Sequence, residues 1–228
     1  MTAGGQATSF RHFHEQLAEV KRKLLEMSGH AERLVEQSII AVLEGDREKA
    51  EEVIAGDQAL NKLELEIEQL AVSLLALQQP MARDLRFLVA TIKASSDLER
   101  VGDHAVNIAE SAMKLDERGG KVATPPELDD MARRAREMLS NALDAFTRQD
   151  GALGREVCKA DDAVDALHDS VFRIVLTHMM EDARTIGTSL ELLLVSRNLE
   201  RVADLATNIA EDAVYVAEGK QIKHHFED

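Results

Sequence analysis

The segment Leu98 to Glu110, Leu-Glu-Arg-Val-Gly-Asp-His-Ala-Val-Asn-Ile-Ala-Glu, returns 101 positions later as Leu199 to Glu211, Leu-Glu-Arg-Val-Ala-Asp-Leu-Ala-Thr-Asn-Ile-Ala-Glu, with ten of thirteen residues identical. A chain that repeats a segment of this length is built from one structural unit used twice. The same offset relates Ala82-Arg83 to Ala183-Arg184. Further upstream the offset becomes 104, relating Asp46 to Asp150, Val53 to Val157 and Asp57 to Asp161. The change of three places a shorter loop in the second half, which has no counterpart of Pro80.

The unit is helical. Ala, Leu, Glu, Arg and Lys dominate, aromatics are 3%, prolines number three, and the strand-forming residues fall at helical spacing rather than alternating. A first helix is expected from Ser9 to Glu44, burying Leu17, Val20, Leu24, Met27, Ala31, Leu34 and Ile39, with residues 1–8 frayed. Gly45-Asp46 breaks it, and Asp46 is a plausible N-cap for a second helix reaching about Gln79. Pro80 fits the first turn of a third helix that ends near Arg118. Gly119-Gly120 and Pro125-Pro126 mark a linker. Helices near Glu127 to Arg148, Asp150 to Glu181 and Ala183 to Glu218 complete the repeat. The expected fold is therefore all-α, with two tandem pseudo-symmetric three-helix bundles over residues 1–118 and 127–228 and a linker at 119–126.

With 27 basic against 42 acidic residues the chain carries a formal charge of −15. That balance argues against nucleic acid, which demands clustered basic charge, and against docking on anionic lipid. Cys158 is the single cysteine and has no internal disulfide partner, and no apolar run approaches the roughly 20 residues of a membrane span. No basic segment followed by an apolar one opens the sequence. The expected location is the cytoplasm.

On a helical wheel the repeated segment divides cleanly. Leu98, Val101, Ala105, Ile108 and Ala112 share one face, and Glu99, Asp103, Asn107 and Glu110 the opposite one. The second copy gives Leu199, Val202, Ala206, Ile209 and Ala213 opposite Glu200, Asp204, Asn208 and Glu211. A solvated helix face is the ordinary explanation of a charged stripe, but such faces mix Glu with Lys, and this one is read as free of cations. Carboxylates stacked one turn apart disfavour the helix by roughly 0.2–0.5 kcal/mol per pair, so something should offset them. Carboxylates and an amide are hard oxygen ligands suited to Fe, Mn, Mg or Ca. One helix cannot chelate a small ion alone. The preceding helix offers Asp57, Asn61, Glu64 and Glu68, and its duplicate Asp161, Asp165 and His168. Packed antiparallel, each pair of helices would bring two stripes to one groove, a setting for a multinuclear, partly hydrated cluster. Asp165-x-x-His168 echoes the Glu-x-x-His of di-iron bundles, but only once and in an Asp version. Arg83/Arg184 and Arg100/Arg201 recur as well, either to bind an anion or, as surface arginines usually do, to pair with nearby carboxylates. No nucleophile elbow, Gly-rich phosphate loop or Cys-x-x-Cys is present, so no catalytic reaction is indicated.

Two copies of Glu-x-x-x-Asp-x-x-x-Asn about a hundred residues apart, with Asp57-x-x-Leu-Asn-x-x-Glu64 and Pro80-Met-Ala-Arg-Asp-Leu-Arg86, make the chain resemble the PhoU family of phosphate-transport regulators. The resemblance runs from about Phe10 to Glu218. It implies two side-by-side three-helix bundles and a cytoplasmic, often dimeric accessory protein that restrains the phosphate-starvation response. It implies partners in the ABC phosphate transporter and its sensor histidine kinase, no catalytic reaction, and surface metal clusters. By position the implied metal ligands are Glu99, Asp103 and Asn107, then Glu200, Asp204 and Asn208, with Asp57, Asp161 and Asp165 from the preceding helices. Iron is the first expectation for the cluster, with manganese, zinc or magnesium as alternatives. The rival readings are a metal-dependent, ferritin-like oxidase and a metal-free helical adaptor.

Overall fold

The structure is a computed structural model that describes residues 3–78, 80–118 and 124–222, with side chains from residue 13 onward. Its helices are α1 (Ala3–Glu44), α2 (Arg47–Gln78), α3 (Ala82–Glu117), α4 (Pro126–Arg148), α5 (Gly151–Glu181) and α6 (Ile186–Glu218). A single 3-10 turn, Ala183–Thr185, precedes α6. Helices α1, α2 and α3 pack on one another, as do α4, α5 and α6, and the two trios meet chiefly along α3 and α6. The chain is all-α and consists of two pseudo-symmetric three-helix bundles.

The expected helix boundaries hold at most ends. Asp46 caps α2, its Oδ1 accepting from the Lys49 amide at 3.1 Å. Asp150 caps α5 in the same way, its Oδ1 accepting from the Ala152 and Leu153 amides at 3.0 and 3.1 Å. The repeat thus keeps the capping chemistry as well as the stripes. Gly219 ends α6 in the left-handed conformation, φ +75°.

Three expectations need correction. The first helix begins at Ala3 rather than Ser9. No proline interrupts residues 3–9, and each residue added to an existing helix gains a hydrogen bond without a new nucleation cost. Pro80 lies before α3 and outside its first turn, because Met81 is extended and Ala82 takes φ +47°, so the proline closes the α2–α3 connection instead. Proline does stand at a first helical position in α4, where Pro126 follows an N-capping Pro125. The sixth helix starts three residues late, at Ile186, since Asp182 holds the Arg184 amide and builds the 3-10 turn first. Within the expected linker and at the end of α2, residues 119–123 and Gln79 lie outside the described residues.

The core follows the wheel. All five apolar positions of the repeated face are buried in α3, and all five in α6. In α1 the expected residues are buried as well, except Ile39, which is half-buried while Ser38 takes the inner position and donates to the Val35 carbonyl. With the apolar faces committed to the core, the oxygen-bearing faces are held on the outside of the bundles.

Candidate functional site

Antiparallel α2 and α3 bring their stripes to one groove. Gly102 makes the approach close: a Cβ there would come within 2.7 Å of the Leu60 side chain and 3.0 Å of Asp57 Oδ1. Asp57 is fixed by Asn61, whose Nδ2 donates to its Oδ2 at 3.0 Å. Asp57 Oδ1 and Asn61 Oδ1 are nevertheless buried with no hydrogen-bond partner. Burial raises the Asp57 carboxyl above the ordinary range, and the charge of Asp103 adds to the rise while Asn61 opposes it. Burial also raises Glu99, followed by Asp103, Glu64 and Asp57, with Arg100 opposing. Three of the expected ligands, Asp57, Glu99 and Asp103, therefore share one field, joined by Glu64.

The α5/α6 groove repeats this arrangement. Asp161 Oδ1 is buried without a partner. Burial, then Asp165 and Asp204, push the Asp161 carboxyl up to about 6, with the Thr207 hydroxyl opposing the rise. Asp165 rises for the same reason, with Asp204 the next cause. His168 lies between the two helices, its Nδ1 2.7 Å from Ser196 Oγ and its Nε2 3.9 Å from Glu200 Oε2. The groove thus gathers Asp161, Asp165, Asp204 and Glu200. Asn107 and Asn208 are exposed beyond these clusters.

The expectation of a cation-free stripe fails in the second half, where Arg201 Nη1 reaches Asp204 Oδ2 at 2.9 Å. Of the other recurring arginines, Arg184 pairs locally with Asp182 at 2.8 Å, and Arg83 reaches across to Gln149 at the end of α4. None of the three forms an anion cradle. Burial pushes the Cys158 thiol up to about 11, so it is not a nucleophile at neutral pH.

The donor set and the orphaned oxygens fit hard cations. A buried acceptor without a donor costs about 1–3 kcal/mol, and a bound cation would remove that cost together with the carboxylate repulsion. Among the described residues, as they stand without an ion, no three His, Cys, Asp or Glu side chains converge closely enough to hold a metal ion. The grooves are open, which suits ions that keep part of their water. Sequence reading missed two supports of this geometry: Gly102, betrayed only by its difference from Ala203, and Ser196, whose signal is its identity with Ser95 at the repeat offset of 101.

Comparison with known proteins agrees with the repeat. The family model described as "PhoU domain" matches residues 24–112 and again 128–213. A Caulobacter vibrioides protein called "Phosphate-specific transport system accessory protein PhoU homolog" is 40% identical over 212 residues, 93% of this chain and 92% of its own length. A Pseudomonas putida protein of the same description is 36% identical over 94% of this chain and 84% of its own. The crystal structure of PhoU from Pseudomonas aeruginosa superposes with TM-score 0.88 at 36% identity, covering 91% of this chain and all of that one. The Streptococcus pneumoniae phosphate transport system regulatory protein PhoU gives 0.84 at 28% identity, covering 92% of this chain and 99% of that one. With one domain match to each half and relatives of this closeness along nearly the whole length, the chain belongs to the PhoU family.

Proposed function

We propose that this protein is a cytoplasmic regulator of phosphate uptake and of the phosphate-starvation response. It acts without catalysis, as an adaptor between the ABC phosphate transporter and its sensor histidine kinase, and works as a homodimer. The observation that supports this reading is the pair of grooves that share Asp57/Asp161, Glu99/Glu200 and Asp103/Asp204 in the same register, in a chain whose relatives are named phosphate-specific transport system accessory proteins. The raised thiol of Cys158, which leaves it inert as a nucleophile, supports the non-catalytic part. No helix among the described residues is long and apolar enough to cross a membrane, so contact with a transporter would run through protein surfaces.

The grooves are proposed to hold multinuclear metal, iron first, with manganese, zinc or magnesium as alternatives. Asp57, Glu99 and Asp103, with Asn107 at the exposed end, would serve one half. Asp161, Asp165, Glu200 and Asp204, with Asn208, would serve the other. Bound metal would supply the positive charge these carboxylates lack and so fix each groove face for recognition.

Two experiments test the reading. A deletion strain is expected to express phosphate-repressed genes in phosphate-rich medium, and full repression in that strain would refute the regulatory role. Elemental analysis of untagged protein prepared without chelators should find several equivalents of iron or manganese. The Glu99→Ala/Asp103→Ala/Glu200→Ala/Asp204→Ala variant should lose most of them while keeping its helical circular dichroism. Absence of metal from both proteins would leave the grooves as acidic docking faces.

A further inference from the structure

The two grooves share a register but do not offer the same atoms. Asp57, Asn61 and Glu64 of α2 correspond, at the offset of 104, to Asp161, Asp165 and His168 of α5. Glu99 and Asp103 correspond to Glu200 and Asp204 at the offset of 101. Each groove therefore gathers four carboxylates, and the difference lies in the fifth side chain, the Asn61 amide in one and the His168 imidazole in the other. Basic residues border both, Arg100 and Lys114 beside the first and Arg197 and Arg201 beside the second, so charge does not set the grooves apart. The donor atoms do. The α2/α3 groove offers oxygen, and the α5/α6 groove offers oxygen and nitrogen.

The imidazole is held by neighbours that the other half uses differently. Ser95 matches Ser196, and Met27 of α1 matches Met131 of α4. In the first half Ser95 Oγ donates to the Ile92 carbonyl of its own helix at 2.9 Å. In the second, Ser196 Oγ donates to Met131 Sδ at 3.4 Å and lies 2.7 Å from His168 Nδ1. With its proton on the thioether, the serine oxygen is left to accept, so Nδ1 carries the ring proton and Nε2 the lone pair. Nε2 stands 3.9 Å from Glu200 Oε2, beyond a hydrogen bond and near the roughly 3.3 Å that two donors about 2.1 Å from a tetrahedral ion would span. The side chains of His168 and Glu200 are 22% and 26% exposed, so the pair is sheltered and still open to an entering ion. An imidazole whose far nitrogen is hydrogen-bonded to a fixed partner is how a metal-ligating histidine is oriented. Cys158 shares the stripe but stands ten residues, about 15 Å along the helix, from His168, too far to share an ion with it.

We propose that His168 Nε2 is a metal ligand, which makes the α5/α6 groove a mixed nitrogen–oxygen site for a borderline first-row ion, Fe²⁺ or Zn²⁺. Ser196 is its positioning residue. The α2/α3 groove, built from oxygen, is left to hard ions such as Mg²⁺ or Mn²⁺. The inference rests on the reading of the grooves as metal sites given above and adds to it a ligand and a difference in selectivity between the halves.

The test uses the full chain, stripped with chelator and dialysed, with its histidine rings labelled with nitrogen-15. Long-range proton–nitrogen NMR reads each imidazole separately, and the His168 signals are those missing from His168→Gln. Zn²⁺ serves as the diamagnetic probe. It is expected to move the His168 Nε2 resonance while Nδ1 keeps its proton, and a tenfold higher concentration of Mg²⁺ should leave that resonance in place. The parent spectrum decides the ligand on its own. Ser196→Ala, if it keeps the parent circular dichroism, should weaken Zn²⁺ binding read at His168 at least tenfold and shift the metal-free ring toward the opposite tautomer. His168→Gln should leave Mn²⁺ binding, followed by electron paramagnetic resonance, within twofold of the parent. An Nε2 resonance that saturating Zn²⁺ does not move, or that Mg²⁺ moves as far, would overturn the proposal. An unchanged tautomer and affinity in Ser196→Ala would remove Ser196 from it. Binding of iron or manganese by the parent alongside an unmoved His168 would leave the metal reading standing while this inference fell. Failure of the parent to bind any of these ions would remove both.

Discussion

Asp161 shows what the grooves demand of single residues. Its carboxyl is pushed up to about 6, whereas an unfolded Asp titrates near 3.9. Between those values the folded chain binds a proton that the unfolded chain has lost. The stabilising contribution is complete below about pH 4 and disappears as pH rises through about 6. Metal-free protein should therefore melt higher at pH 5.5 than at 7.5. Asp161→Asn should flatten that dependence and raise the melting temperature at pH 7.5 by roughly 2–4 °C, about 1 kcal/mol for a chain of this size, with partial solvent access keeping the effect small. Thermal melts in chelator check both. An unchanged pH slope in the variant would remove Asp161 as the strained member. The stripes themselves were legible in the sequence because helical spacing fixes which face a side chain shares. The depth of Asp57 and Asp161 was not, since it depends on how closely the partner helix approaches.

That approach is set between elements by small residues. Gly154 on α5 faces α6 so closely that a Cβ would lie 2.8 Å from the Ala210 carbonyl oxygen and 3.0 Å from Val214 Cγ2. Backbone cannot yield as a side-chain tip can. Gly154→Ala should cost about 1–2 kcal/mol in urea denaturation, the overpacking outweighing the helix-propensity gain of roughly 1 kcal/mol. Gly29 on α1 is different, since a Cβ there would meet nothing within 4 Å, and Gly29→Ala should stabilise by about 0.5–1 kcal/mol. Opposite signs for the same substitution separate close packing from intrinsic preference. The element ends were readable where a side chain acts on its own backbone, as at Asp46 and Asp150. They were misread at Pro80, where proline's tolerance for a first turn was outweighed by the extended Met81 and the left-handed Ala82.

The two halves are joined by polar contacts that the repeat gave no reason to expect. Lys93 meets the buried Asp212 at 3.6 Å, and His104 Nδ1 lies 2.9 Å from Asn198 Oδ1. Near the far end of the seam Arg118 Nη2 stands 3.9 Å from Glu191, whose other oxygen is buried without a partner. Gly187 leaves the space the Arg118 guanidinium occupies. These pairs join residues that differ between the copies, so internal symmetry could not reveal them. Arg118→Ala should lower stability by about 1–3 kcal/mol by abandoning a buried carboxylate, while Glu191→Met should be neutral or slightly stabilising. Equal losses from the two variants would mean that the ion pair itself holds the halves together. Seen whole, α3 and α6 run antiparallel, with Arg86 packed near Gly219 at one end and Arg118 near Glu191 at the other. Each repeat thus offers its third helix to the other through a pseudo-two-fold axis. A half-length ancestor with a single repeat would have presented that same helix to a twin, and two such chains meeting across a true two-fold axis would already have possessed both grooves.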